Sequence, residues 1–339
     1  MAQLSIASFE RIYRAIENGK SQFQQMAFGR IANAMAPFVK YMASTGIGTD
    51  ACLRHGCLPL LVHYFSPVPD IADLAKREVW NRKSQMIGID FRPARQVELL
   101  DALGERFGNE CNWSPHPSGA PGQFYTENNS FSYGCAASTH SMVRYFHPHT
   151  FIEIGSGYSS RVIGGALRLN AEDGFGSKYI MIDPYPAADL RSNVPYVTQV
   201  MEDRVELQDL ELFTKLSKND VLFIDSGHTV RIGGDVNFEI LEILPRLSPG
   251  VIVHFHDIPM PYEYPRTYAT NPRFRMFWTE SYLLQAFLCF NKEFEILLAM
   301  NYLMSEKLDV FRRAFPHYDP SVHVSNSPSF WIRRKPVDS

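Results

Sequence analysis

FIEIGSGYSSRV, Phe151–Val162, is the stretch whose reading decides the fold. FIEI (Phe151–Ile154) is a short apolar run of strand length, and Ser159–Leu169 carries the spacing of a helix with one buried face. Between them, Gly155 and Gly157 lack a Cβ, so the chain can turn sharply and pass close to whatever lies outside it. Ser156 sits inside the turn, and Ser159 and Ser160 stand at the start of the helix, where unpaired backbone N–H groups face outward. A strand, a glycine turn and a helix in this order suit the edge of a nucleotide site. The competing reading is a tight turn that needs glycine for packing alone.

Outward from this core, short apolar strands alternate with helices. YIMI (Tyr179–Ile182) leads to Asp183; VLFI (Val221–Ile224) follows a helical stretch over Asp209–Leu216; VIVHF (Val251–Phe255) follows another over Gly233–Leu247. A helix near Trp278–Phe290, a strand FEILLAM (Phe294–Met300) and a late strand SFWIRR (Ser329–Arg334) complete the series. Strand–helix alternation predicts right-handed crossovers and a parallel sheet covered on both faces, with the last segments able to add an antiparallel strand. The fold class is α/β and Rossmann-like, with a helical N-terminal extension.

Two parts are expected, 1–120 and 121–339. Residues 1–45 read as helical, with Phe9, Ile12, Tyr13 and Ile16 on one face and a second series at Phe23, Met26, Ile31 and Phe38. That face suits a cap or a homo-oligomer contact better than direct substrate binding. Residues 46–125 read as irregular: HYFSPVPD (His63–Asp70) holds two prolines, and Asn112–Gly122 three prolines and two glycines.

The 339 residues carry a formal net charge of −3 and no long basic run, which excludes broad electrostatic capture of nucleic acid. No apolar stretch approaches the roughly 20 residues of a membrane span. The first twenty residues have no signal-peptide core. Five cysteines (52, 57, 111, 135 and 289) are odd in number and form no CxxC pair, so a reduced, cytoplasmic setting is expected.

The kind of nucleotide follows from what surrounds the turn. A dinucleotide fingerprint wants a third glycine at position 160, where this chain has Ser160, and there is no GxxxxGK[ST] loop. Glu153, two residues before the first glycine, suits a cationic amino group better than a diphosphate. Asp183 at the next strand tip can accept hydrogen bonds from both hydroxyls of a ribose, although a helix N-cap is its plainer role.

EIGSGYSS, the strand-tip DPYP, the block FIDSGHTVRIGGDVNFEILEILPRLSPGVIVHFHDI and the ending SFWIRR resemble class I S-adenosylmethionine-dependent methyltransferases, and within them the methyltransferase family 24 subgroup. The resemblance runs from about residue 63 to 335. It implies a seven-stranded sheet with the last strand antiparallel. It also implies S-adenosyl-L-methionine as cofactor, with Glu153, Gly155 and Gly157 at the methionine end, Asp183 on the ribose and the segment around Val205 beside the adenine.

A second constellation lies at the next two strand tips. FIDSGH sets Asp225 and His228 there, and VHFHDI sets His256 and Asp257, with His254 on the same strand face as His256. Two carboxylates and two imidazoles in one cleft can bind a divalent cation or act as base and orienter for a hydroxyl. Metal-dependent O-methyltransferases of the resembled fold carry metal-binding carboxylates at these tips. Asp225, His256 and Asp257 match those positions, with a histidine in place of the more usual acid or amide. The reading leaves three alternatives: an Mg²⁺-like ion, base catalysis by His228 or His256 with Asp225, or a structural polar cluster. Ile258–Trp278, dense in Pro, Tyr and Phe, stands where a substrate lid is expected, and Tyr125 and Asn129 could approach the cofactor from the other side. The function expected is methylation of a hydroxyl on a small molecule or saccharide. The alternatives are a metal-dependent oxygenase or hydrolase on the same scaffold, or a non-catalytic nucleotide-binding module.

Overall fold

The computed structural model describes residues 22–271, 275–324 and 326–336. Chain packing separates two compact units at the Arg77/Glu78 junction. Before it stand a 24-residue helix, Gln22–Thr45, and two short helices, Thr49–Arg54 and Ile71–Lys76. Met26, Ile31 and Phe38 of the expected apolar series are exposed on the long helix. Phe9, Ile12, Tyr13 and Ile16 lie outside the described residues.

The second unit holds a sheet of β1 (Thr150–Ile154), β2 (Lys178–Ile182), β3 (Gln199–Met201), β4 (Val221–Ile224), β5 (Ile252–Phe255), β6 (Phe294–Ala299) and β7 (Phe330–Arg334). Its order is β3-β2-β1-β4-β5-β7-β6. The first five strands are parallel, and β7 inserts antiparallel between β5 and β6. The expected seven strands with an antiparallel last strand are therefore present. The order reverses at β1/β4, so the carboxyl ends of those strands open a crevice there. β4 and β5 are buried along their whole length, as strands covered on both faces must be. Among them Phe223 stacks on His254 at 3.9 Å, and His254 Nε2 meets Ser329 Oγ at 3.0 Å. Burial keeps His254 well below the usual imidazole range, so it is a neutral core residue.

Several expectations are corrected. Residues 46–125 are not irregular throughout. Pro93 opens a 15-residue helix, Pro93–Phe107, because its fixed φ and missing N–H suit the first turn. Leu100, Leu103 and Phe107 then bury one face of it. Tyr133–Phe146 is a further helix, started by Ser132 Oγ accepting from the Cys135 N–H. It is buried nearly all round, so it shows no amphipathic rhythm. Gly233–Leu247 is not one helix: an α-turn (Asp235–Phe238), a π-turn (Glu239–Ile243) and a 3₁₀ turn (Leu244–Arg246) follow each other, with Pro245 ending the regular pattern. β3, three residues long, carries too little apolar pattern to be read from sequence.

Candidate active site

Gly155 is glycine because the sheet demands it. Its φ is +78°, and a Cβ there would lie 1.9 Å from the Asp225 carbonyl oxygen. The tips of β1 and β4 thus touch through its bare backbone, and the Asp225 N–H donates to the Ile154 carbonyl at 2.9 Å. Gly157 differs: its backbone is extended, and a Cβ would meet nothing within 4 Å. Packing therefore requires glycine at 155 and not at 157.

Asp183 points back at the turn. Its Oδ2 accepts from the Ser156 N–H at 2.8 Å and Oγ at 2.6 Å, and its Oδ1 from the Tyr185 N–H at 2.7 Å. A carboxylate has about four acceptor positions, so one remains on Oδ1. Asp183, Gly155, Ser156, Val205 and Asp225 line one cavity of about 470 Å³, with Arg204, Glu206 and Arg231 on its wall. A volume of this order is typical of small-molecule sites.

Glu153, Ser159 and Ser160 lie elsewhere, beneath the turn. Glu153 is fully buried; Ser159 Oγ donates to one of its oxygens at 2.7 Å, and Ser160 Oγ and Tyr179 OH donate to the other at 2.8 and 2.5 Å. Ser160 Oγ also accepts from the Gly157 N–H at 3.0 Å. Burial outweighs these hydroxyls and lifts the Glu153 carboxyl to about 7. The network stiffens the turn from inside, and none of the three side chains reaches the cavity wall. A strand residue two before the glycine points to the covered face of the sheet, which the motif alone does not reveal.

The tips of β4 and β5 are arranged otherwise. Asp225 Oδ1 lies 3.3 Å and Asp257 Oδ2 3.7 Å from His228 Nε2. One ligand atom from each of these three residues lies within 4.8 Å of the other two. Of the expected set Asp225, His256 and Asp257, the two carboxylates fall in this close group, and His228 rather than His256 is its third member among the described residues. The reason is backbone geometry. His228 turns back at φ +55° and so reaches over the tip of β4, whereas His256 continues the line of β5 with its ring against Phe131 at 5.0 Å. His256 Nε2 is 3.9 Å from Asp257 Oδ1, and its Nδ1 is buried without a hydrogen-bond partner.

Burial works against charge on His256, but the Asp225 and Asp257 carboxylates override it and lift it to about 10. His228 is likewise driven upward, against burial, by Asp225 and Glu280. Burial presses Asp225 upward, and the two imidazoles more than offset this and hold it below its ordinary value. Asp257 is raised by burial. Glu280, buried and bonded to His228 Nδ1 at 2.8 Å, was not read from sequence. Its signal is faint: a lone acid at a helix start, 52 residues away, with the look of an ordinary N-terminal helix charge.

A second cavity, of about 530 Å³, lies beyond the cluster. His256, Asp257, Cys135, Phe131, Tyr133 and Tyr268 are on its wall, and Asn129 lines it rather than the first cavity. Tyr125 lines neither; its hydroxyl is 2.5 Å from that of Tyr158. Of the expected lid, Ile258, Met260 and Tyr264 are packed in the core, and Tyr268, on the short helix Arg266–Thr270, is the residue facing the second cavity. All five cysteines are free. Among the described residues no helix is long and apolar enough to cross a membrane.

Residues 152–258 match the family model Methyltransf_24, described as a methyltransferase domain. An uncharacterized protein of Archaeoglobus fulgidus is 24% identical over 164 residues, which is 46% of this chain and 73% of that protein. Two solved structures are more distantly similar. "cmcI-N160 SAH" covers 60% of this chain and 77% of its own at 16% identity and TM-score 0.33. "CmcI-N160 apo-structure" covers 60% and 72% at 18% identity and TM-score 0.34.

Proposed function

We propose that this chain, which matches a methyltransferase domain over residues 152–258, is a class I S-adenosylmethionine-dependent methyltransferase that moves the methyl group to a hydroxyl of a small polar acceptor. The observation that carries this reading is the pair of cavities. Asp225 lines the first, Asp257 lines the second, and one oxygen of each lies within 4.8 Å of the other. A group-transfer enzyme needs two binding sites that meet at the reacting atoms, with water kept out between them.

In this reading the cofactor occupies the Gly155–Asp183 cavity. The free acceptor position on Asp183 takes a ribose hydroxyl, Val205 flanks the adenine, and the open space at Gly157 admits the ligand where a side chain would obstruct it. Bound S-adenosylmethionine supplies an electrophilic methyl on a sulfonium. Asp225, on the wall of this cavity, would lie beside that charge. Transfer to a hydroxyl would exchange the C–S bond for a C–O bond and release one proton, for which Asp257, on the wall of the second cavity and made more basic by burial, would be the acceptor.

His256, held cationic near neutral pH, is a poor proton acceptor and serves better as a hydrogen-bond donor to the acceptor oxygen. Asp225, His228 and Asp257 are the residues that would hold a divalent cation. Two carboxylates and an imidazole whose ligand atoms lie within 4.8 Å of one another form the kind of set a cation satisfies. Such an ion would lower the pKa of an adjacent hydroxyl.

The test is transfer of isotope-labelled methyl from S-adenosylmethionine to a panel of phenols, alcohols and glycosides, with the product bond identified by mass spectrometry. An O-methyl product supports the reading. An N- or C-methyl product overturns the hydroxyl assignment, and turnover without methyl transfer favours an oxygenase or hydrolase.

A further inference from the structure

The ring of His228 is held from behind more completely than any other group at these strand tips. Glu280 Oε2 meets Nδ1 at 2.8 Å. The N–H groups of Thr279 and Glu280 donate to the His228 carbonyl at 2.9 and 3.2 Å. Thr279 Oγ1 accepts from the Val230 N–H at 2.7 Å, and the Trp278 ring lies 4.3 Å from the imidazole. These contacts all come from one place, the start of the helix Glu280–Leu288. They bind the loop after β4 at φ +55°, an uncommon conformation for a residue other than glycine.

We infer that Glu280 is a positioning residue. It holds the His228 ring by its Nδ1 edge and thereby turns Nε2 toward Asp225 and Asp257. An ionised carboxylate can only accept, so Nδ1 donates to Glu280; Nε2 faces carboxylates too, and a cation bound between them would take the place of its proton. A carboxylate behind a ligating imidazole sets the tautomer and raises the ring's basicity. The inference rests on the cation reading above and adds a consequence. A site with one imidazole nitrogen and two carboxylates favours Mn²⁺ or Zn²⁺ over Mg²⁺, which takes oxygen ligands almost alone.

Glu280→Leu and Glu280→Gln separate the claim from mere packing. Leucine keeps most of the volume and removes the acceptor; glutamine keeps an acceptor oxygen. Calorimetry with Mn²⁺, Zn²⁺ and Mg²⁺ on the full chain should show Glu280→Leu losing about 10–100-fold in Mn²⁺ and Zn²⁺ affinity, with Mg²⁺ nearly unchanged. Glu280→Gln should restore most of the loss. The ¹⁵N spectrum of His228 should show Nδ1 protonated in the wild type and that proton partly lost from Nδ1 in Glu280→Leu, where Asp225 is left as the ring's carboxylate partner. Unchanged cation affinities together with an unchanged His228 spectrum overturn the inference. If the wild type binds none of the three ions, the cation reading fails, and the ring spectrum alone decides the positioning role. If Glu280→Leu does not fold, the wild-type spectrum decides: a bare Nδ1 with the proton on Nε2 contradicts it.

Discussion

The tips of β1 and β2 and the tips of β4 and β5 face the same crevice but are built on opposite principles. At the first pair nearly every polar atom is answered from within the chain. Three hydroxyls bond Glu153, and Ser156 and Tyr185 hold Asp183. At the second pair polar atoms are left over. His256 Nδ1, Glu280 Oε1 and Glu239 Oε1 are buried without partners, and His228 Nε2 stands between two carboxylates. Buried polar groups without partners are costly, and of these residues His256 lines a cavity, where a ligand could complete it. The difference separates a cradle finished before binding from a site that binding finishes.

The largest effect expected is at Gly155. Gly155→Ala drives a Cβ against the Asp225 carbonyl at a φ that disfavours it, and should cost about 3–5 kcal/mol or abolish folding. Gly157→Ala has an extended backbone and open space, and should stay within roughly 1 kcal/mol of wild type. Urea unfolding of both measures the gap. Equal losses would remove the distinction between a glycine required by packing and one that leaves room for a ligand.

Next in size is the pH response of the finished cradle. Glu153 is held at about 7 when folded, against 4.5 ordinarily, so between these values the folded chain binds more protons than the unfolded one. The associated stability is fully present below pH 4.5 and is lost as pH rises through 7, by up to about 3 kcal/mol. Glu153→Gln should flatten that slope in unfolding midpoints taken from pH 4.5 to 8. A slope unchanged in Glu153→Gln would place the pH response in another group.

A smaller effect, about 1–3 kcal/mol in affinity, is expected for the cluster's carboxylates. Asp257→Asn should weaken divalent-cation binding about 10-fold or more and leave cofactor affinity alone, as read by calorimetry with each ligand. Loss of both would mean that the two cavities are not separable.

These contrasts also explain what the sequence could carry. The sheet was legible because strands buried on both faces are continuous apolar runs, as VLFI and YIMI are. The helices Pro93–Phe107 and Tyr133–Phe146 were not, because one begins at a proline that reads as a loop and the other buries polar residues such as Ser138, His140 and Arg144 along with apolar ones. The cavity residues Gly155, Ser156 and Asp183 follow from local motif order, and Val205 from the family resemblance. The place of His228, rather than His256, in the close group with Asp225 and Asp257 does not. It depends on one left-handed residue and on Glu280, far along the chain, and neither leaves a local pattern.

The central claim is that the cavity between the Gly155 turn and Asp183 receives the adenosyl cofactor. Calorimetric titration of S-adenosylhomocysteine into wild type, Asp183→Ala and Asp257→Asn tests it most directly. Binding by wild type and Asp257→Asn, with a loss of about 10–100-fold in Asp183→Ala, is the predicted result. Undiminished binding by Asp183→Ala, or no binding by the wild type beside ready binding of NAD, would contradict it.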